Sequence, residues 1–141
     1  MSTTIVEGPF TQFEAQAQES ITPGEMVRYD TNGDIVVDDS DGAAIHGFIA
    51  MEFTEVGKDI DDSYSSGEGI KVAVPRPGTR VNAFLQGGED VDPNTALYVD
   101  GSGTLVSSTT ATSPSDGGIF GYPTASANPS SNTRIEVRVT N

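Results

Sequence analysis

Ile21-Thr22-Pro23-Gly24-Glu25-Met26-Val27-Arg28-Tyr29-Asp30-Thr31-Asn32-Gly33-Asp34-Ile35-Val36 lines up with Val91-Asp92-Pro93-Asn94-Thr95-Ala96-Leu97-Tyr98-Val99-Asp100-Gly101-Ser102-Gly103-Thr104-Leu105-Val106 at a constant offset of 70. Pro23 falls on Pro93, Asp30 on Asp100, Gly33 on Gly103 and Val36 on Val106, and the apolar residues at 21, 26, 27 and 35 meet apolar residues in the second copy. Each copy reads as one folding unit. The proline sets an extended entry and lacks the N–H that a central ladder would need. A strand then runs to the aspartate, and the Asp-Thr-Asn-Gly or Asp-Gly-Ser-Gly turn reverses the chain through a glycine free to take positive φ. A short returning strand follows. Each copy comes back to an Asp-Gly and an apolar strand, Asp41-Gly42-Ala43-Ala44-Ile45-His46-Gly47-Phe48 in the first and Asp116-Gly117-Gly118-Ile119-Phe120-Gly121-Tyr122 in the second. A duplicated β unit is the reading.

The rest of the chain carries the same signal. Residues 26–29, 34–37, 45–50, 70–74, 80–85, 96–99, 104–106 and 134–139 are short β-branched or aromatic runs between turn residues. From Arg134 on, Ile135, Val137 and Val139 alternate with Arg134, Glu136 and Arg138, the pattern of a half-buried strand. With 16 Gly and eight Pro there is little room for long helices. The fold expected is all-β, a small barrel or sandwich built from two repeated units at about residues 21–85 and 91–141; one barrel or two lobes both fit. Ser107 to Ser115 and Thr124 to Thr133 read as surface loops. Met1 to Ser20 shows no sustained period, Phe13 to Ser20 included, and holds Ile5, Val6, Phe10 and Phe13 between polar residues around Gly8-Pro9. It reads as an extended arm of residues 1–20, outside a β domain of 21–141, that orders by pairing with a partner's sheet edge; its loss should leave the fold intact.

Composition narrows the function. Of 141 residues, seven are Lys or Arg and 21 Asp or Glu, for a net charge of −14. Such a charge repels nucleic acid and anionic membranes, so neither is expected as a partner. Only Lys58 and Lys71 are lysines, and the acids are spread along the chain. That distribution points to a salt-adapted, halophilic protein, because at ~1 M salt a Debye length of about 3 Å screens the self-repulsion. No cysteine is present, which removes disulfide and thiolate chemistry. Met1-Ser2-Thr3-Thr4 lacks the basic start and apolar stretch of a signal peptide, so a product neither exported nor anchored is expected.

Residue constellations for catalysis are poor, and no enzyme activity is expected. His46 is the single histidine, set in an apolar strand, and there is no Gly-x-Ser-x-Gly elbow. One His and no Cys do not make a zinc site, and no cofactor or metal is assigned. The pairs Asp38-Asp39 and Asp61-Asp62 read as solvated loops. Asp30, Asn32, Asp34, Asp38 and Asp41 sit at places 1, 3, 5, 9 and 12 of a calcium-type loop, but Ile35 stands where such a loop needs glycine, so an acidic hairpin turn is the reading. Val74-Pro75-Arg76-Pro77-Gly78-Thr79-Arg80 is a stiff connection ending in a turn. Two readings fit it equally: a contact with an acidic neighbour through Arg76 and Arg80, or a tight corner whose arginines offset local acid. The candidate contact residues are Ile5, Val6, Pro9, Phe10, Phe13, Arg76 and Arg80.

The stretch from Ile21 to Ala50, and again Val91 to Tyr122, resembles the head decoration proteins of tailed viruses, the lambda-type capsid-stabilising family. The shared order is a Pro start, a strand, an acidic turn, an apolar strand, a small-residue Asp41-Gly42-Ala43-Ala44 step and a Gly-containing apolar strand. The resemblance implies a β-tulip-like fold and a virion protein on the outer capsid surface that clamps neighbouring major capsid proteins. It also implies a homotrimer and an N-terminal segment that docks on the shell. With this acidity, it looks like the version from a tailed virus of haloarchaea. The chain departs from the family in carrying two copies where a lambda-type chain resembles one, which leaves the trimer open. A rival reading is a secreted or surface β module that binds carbohydrate or calcium; a carbohydrate site would want exposed aromatics among Tyr29, Tyr64, Tyr98 and Tyr122.

Overall fold

The computed structural model describes residues 3–43 and 45–141; Met1 and Ser2 of the expected arm, and Ala44 of the small-residue step, lie outside them. Eleven strands are found among the described residues: β1 (Ile5–Glu7), β2 (Phe10–Gln16), β3 (Met26–Tyr29), β4 (Ile35–Val37), β5 (Phe48–Met51), β6 (Gly69–Pro75), β7 (Arg80–Leu85), β8 (Leu97–Asp100), β9 (Thr104–Val106), β10 (Ile119–Pro123) and β11 (Thr133–Val139). Helical structure is limited to two single 3₁₀ turns, Thr54–Val56 and Asp116–Gly118. The all-β reading therefore holds.

The strands form two sheets of the same design. Lobe one is ordered β2-β6-β5-β3-β4, and lobe two β7-β11-β10-β8-β9 with β1 added outside β7. In both, the first strand pairs with the fifth, the fifth with the fourth, the fourth with the second and the second with the third, all antiparallel. The third strand then returns to the first through a short parallel contact. In lobe one this is Ala17 beside Ile35, where the Gln18 N–H donates to the Ile35 carbonyl at 2.8 Å. In lobe two it is Leu85 beside Leu105, where the Gln86 N–H donates to the Leu105 carbonyl at 3.0 Å. Each sheet so closes on itself as a small barrel filled by side chains.

The duplication is therefore two lobes, and its boundaries differ from those expected. The unit begins at β2 in lobe one and at β7 in lobe two, residues 10 and 80, again 70 apart. The expected boundary at residue 20 cuts off the first strand of lobe one, and the expected first copy of 21–85 takes in β7, which starts lobe two. The reason lies in composition. Glu14-Ala15-Gln16-Ala17-Gln18-Glu19 is built of good helix formers. Tertiary pairing overrides that preference: β2 is held along all seven residues by β6, Phe10 opposite Pro75 through Gln16 opposite Gly69. Removal of residues 1–20 would take out a whole barrel strand, so it is expected to disrupt lobe one rather than leave the fold intact.

Burial follows the repeat. Ala17, Ile21, Val27, Ile35, Ala50, Tyr64, Ile70 and Val72 fill lobe one. On the other faces of those strands, Met26, Ile49, Met51 and Ala73 turn toward lobe two and join Val81, Leu85, Leu97, Leu105, Phe120 and Val137 in one continuous core. This is why β6 is apolar on both faces. Burying a side chain the size of Met26 or Ile49 contributes about 1.5–3 kcal/mol, so the four residues make the lobes one unit. Polar contacts fix the angle between them. Arg134 on β11 donates from Nε and Nη2 to the Pro23 carbonyl (3.1 and 3.0 Å), bonds the Ile60 carbonyl, pairs with Asp61 at 2.9 Å and lies over the Phe84 ring at 4.7 Å.

The two hairpin turns of the repeat have unequal surroundings. Gly33 and Gly103 both have positive φ (84° and 75°). A Cβ on Gly33 would meet nothing within 4 Å, whereas one on Gly103 would lie 2.7 Å from Val37 Cγ1 and 2.8 Å from the Met26 carbonyl, because this turn is wedged against lobe one. Gly33→Ala is expected to cost only the left-handed strain, about 1–2 kcal/mol. Gly103→Ala adds the overpacking penalty of about 1–3 kcal/mol. Urea unfolding of the two variants measures the difference; equal losses would show that the turn is not wedged.

Candidate functional site

The N-terminal residues strap the two lobes together. Ile5 stands opposite Val81 on β7 and packs, half-buried, on the shared core. Thr3 and Thr4 carbonyls accept from the Asn82 side chain and backbone, both at 2.7 Å, and the Glu52 carboxylate of lobe one accepts from the Thr4 N–H and hydroxyl at 2.8 and 3.0 Å. At Gly8-Pro9 the chain turns and crosses back. Gly8 has φ 117°, and a Cβ there would lie 2.7 Å from Thr79 Cα, so only glycine fits. The Pro9 carbonyl accepts from the buried Thr79 hydroxyl at 2.6 Å and from the Arg76 N–H at 3.1 Å. Phe10 packs on the shared core, and Phe13 enters an aromatic group in lobe one. Of the expected arm residues, Val6 is the large apolar side chain left exposed, at 38 %.

The Pro75–Arg80 stretch is both a corner and a charged surface. The Gly78 N–H donates to the Val139 carbonyl at 2.7 Å and the Thr79 N–H to the Arg76 carbonyl at 3.1 Å, which fixes the turn to the end of β11. Arg80, half-exposed, is paired within the chain with Glu136 (3.1 Å) and Glu7 (3.2 Å), whose hydrogen bonds raise its already high pKa. Arg76 is exposed and makes no ion pair among the described residues. Arg80 and Arg76 are thus brought together but do different things.

Two features escaped the sequence reading. The first is an aromatic group at one end of lobe one: Phe13 stacks on Tyr29 with centroids 5.4 Å apart, and Phe48 meets both edge-on at 5.5 and 5.6 Å. Tyr29 is 45 % exposed. Its equivalent in lobe two is Val99, fully buried, so this aromatic mouth belongs to lobe one alone. The second is a pair of carboxylates that serve the barrel closure. Glu19 accepts from the Val37 N–H at 3.2 Å, and Glu89, 70 residues on, accepts from the Ser107 N–H at 2.6 Å. Glu89 also takes the Thr110 hydroxyl at 2.5 Å and so anchors the 107–115 surface loop. The matches of Gln16 with Gln86 and Glu19 with Glu89 at the repeat offset carried that signal.

The remaining acids have local partners. Asp30 Oδ1 accepts from the Asn32 and Asp34 N–H groups at 2.7 and 3.0 Å, and the Asp34 carboxylate accepts from Gln18 Nε2 at 3.0 Å. Among the described residues, no group of three or more His, Cys, Asp or Glu is placed to hold a metal. Buried Asp38 accepts from the Ser40 N–H (3.0 Å) and hydroxyl (2.6 Å), and its other oxygen faces His46 Nδ1 at 3.2 Å. The serine is therefore on the carboxylate and not on the imidazole, so His46 is not positioned to take its proton. Between the lobes an open cleft of about 500 Å³ is lined by Glu19, Glu25, Arg28, Asp39 and Ser102 among others.

With this geometry in view, no protein-family model matches the chain, and no curated protein matches it either. Solved structures share its fold. The N base of the head fiber gp8.5 of bacteriophage phi29 superposes with a TM-score of 0.60 at 12 % identity, covering 94 % of this chain and 95 % of that one. At such identity the likeness is one of fold, and it extends over both lobes.

Glu25 yields a pH test. Burial, which outweighs the hydrogen bond from the Thr22 N–H at 2.6 Å, raises its pKa above the usual glutamate value. An acid with a raised folded pKa favours the folded state when protonated, and that contribution is lost as pH rises through the folded pKa. Glu25→Gln is expected to raise the melting temperature at pH 7, with the gain fading as the wild-type carboxyl protonates in acid. A gain independent of pH would contradict the assignment.

Proposed function

We propose that this chain is a structural protein of a virus head, carried on the outer capsid surface, where it stabilises the shell by holding neighbouring major capsid proteins together. The observation that supports the reading is the end-to-end likeness in fold to the head fiber base of phi29, over 94 % of the chain. The resemblance of residues 21–50 and 91–122 to head decoration proteins points the same way. The physics suits the role. A rigid element that binds only the assembled shell stabilises it by mass action. Several copies around one symmetry point add avidity, and a closed cyclic homotrimer fits a local three-fold position. No catalysis, nucleic acid or membrane enters this reading.

A second reading has one observation in its favour: the half-exposed Tyr29, with Phe13 and Phe48 behind it, is a stacking platform of the kind sugars use. On a glycan array, binding that Tyr29→Ala abolishes would support it.

The purified chain is expected to co-sediment saturably with shells assembled from the major capsid protein of the same genome and to raise their melting temperature. Failure to bind at any salt concentration would remove the proposal.

We also propose the salt-adapted origin that a net charge of −14 suggests. Melting temperature is expected to climb steeply from dilute buffer to molar KCl. An equal climb in glycerol would refute salt adaptation.

A further inference from the structure

The seven cations of this chain are not deployed alike. Arg28 pairs with Asp39 (2.9 Å), Lys58 with Glu68 (3.2 Å), Lys71 with Glu55 (2.6 Å) and Arg134 with Asp61 (2.9 Å). Arg80 holds Glu7 and Glu136. Arg76 and Arg138 are exposed and have no ion pair among the described residues. With 21 carboxylates in the chain, two unpaired arginines are a departure, and the fold sets them at one corner. Arg138 lies one residue before Val139, whose carbonyl receives the Gly78 N–H of the turn that carries Arg76.

The register adds a second peculiarity. Tyr122 on β10 stands opposite Arg138 on β11, Arg138 opposite Arg80 on β7, and Arg80 opposite Glu7 on β1. These four side chains form a row across four strands on the outer face of lobe two. Two like charges directly opposite on neighbouring strands are destabilising. Glu136 and Glu7 together more than offset the charge of Arg80 and so lift that repulsion, while Arg138 is left without an ion pair of its own. Among the described residues the Arg138 guanidinium makes no side-chain hydrogen bond or ion pair.

We infer that Arg76 and Arg138, flanked by the half-buried Tyr122, form a docking site for a carboxylate-bearing surface of a protein partner. The inference rests on the virion reading above, in which that partner is the capsid protein beneath lobe two. Carboxylate is the group that charge complementarity selects, since guanidinium forks match it in bidentate geometry. A long polyanion does not fit: its approach brings it along the rest of a chain of charge −14. A compact acidic patch meets only the corner, within a Debye length of about 8 Å at physiological salt. Short bidentate contacts also persist where salt screens longer-range attraction. Arg80, held by two internal acids, positions the row and does not itself face the partner.

The test is shell co-sedimentation with full-length variants. Arg76→Gln with Arg138→Gln is expected to weaken binding about tenfold or more. The same variant should melt close to the wild-type temperature, because neither side chain makes an ion pair within the chain. Arg76→Lys with Arg138→Lys, which keeps the charge but not the fork, should recover part of the binding, and a zero-length carbodiimide reagent should then join the introduced amines to Asp or Glu of the shell protein. Wild-type binding combined with undiminished binding of the glutamine variant would overturn the inference alone. A glutamine variant that melts lower in step with its loss of binding would overturn it too, by assigning the arginines to the fold. Absence of wild-type binding would overturn the virion reading and this inference with it.

Discussion

The structure depends on returning a three-residue strand to the strand that begins its own lobe. β4 and β9 are too short to hold a sheet, and each closes its barrel by one parallel contact, the Gln18 N–H on the Ile35 carbonyl and the Gln86 N–H on the Leu105 carbonyl. Without that contact, each lobe would present a free edge on both sides. Glu19 and Glu89 bind the N–H two residues further on, at Val37 and Ser107, so a glutamate at the repeat offset of 70 reinforces the closure in both lobes. Ladder bonds elsewhere in the sheets keep their geometry because the ring is closed.

Once the ring exists, the rest follows by alternation. Side chains pointing in fill each barrel. Those pointing out from Met26, Ile49, Met51 and Ala73 have only the other lobe to bury against. Arg134 then sets the angle by satisfying the Pro23 carbonyl, which lies where a proline interrupts the ladder. The N-terminal residues complete the lock, with Ile5 on one lobe and Phe10 beginning the other, joined by a glycine that tolerates Thr79 at close range.

Much of this was legible in the chain. Nine of the eleven strands announce themselves because β-branched residues alternate between turn residues, as in Ile135, Val137 and Val139, and the offset of 70 shows the duplication directly. β1 and β2 were not legible. Thr3 to Glu7 is too short to show a period. In β2 the inward residues are Phe13 and Ala15, followed past its end by Ala17, and the two alanines sit in a run of helix formers that only the facing β6 makes a strand. The surface residues divide in the same way. Arg76 and Arg80 stood out through the Pro-Arg-Pro-Gly turn, but that one is spent internally and the other free is a matter of which acids the register brings opposite. Arg138 and Tyr122 are joined to them only by pairing across strands.

The lobes pack front to back: the loop after β4 and the face of β3 in lobe one grip the β8–β9 turn of lobe two, with the Gly101 N–H on the Ser40 carbonyl at 2.9 Å and the Met26 N–H on the Gly103 carbonyl at 2.8 Å. An interface between unlike surfaces of equivalent units has no built-in end and would, if repeated, grow into a fibre or a ring. Lobe two does not repeat the gripping face. At the positions of its gripping face it carries exposed Pro93 and Asn94, Ala96 in place of Met26, and the Ser- and Thr-rich loop in place of Asp38 to Gly42. The second copy has the strand order of the first without its gripping residues, so the two-lobe unit offers no equivalent surface for a further copy to continue the series.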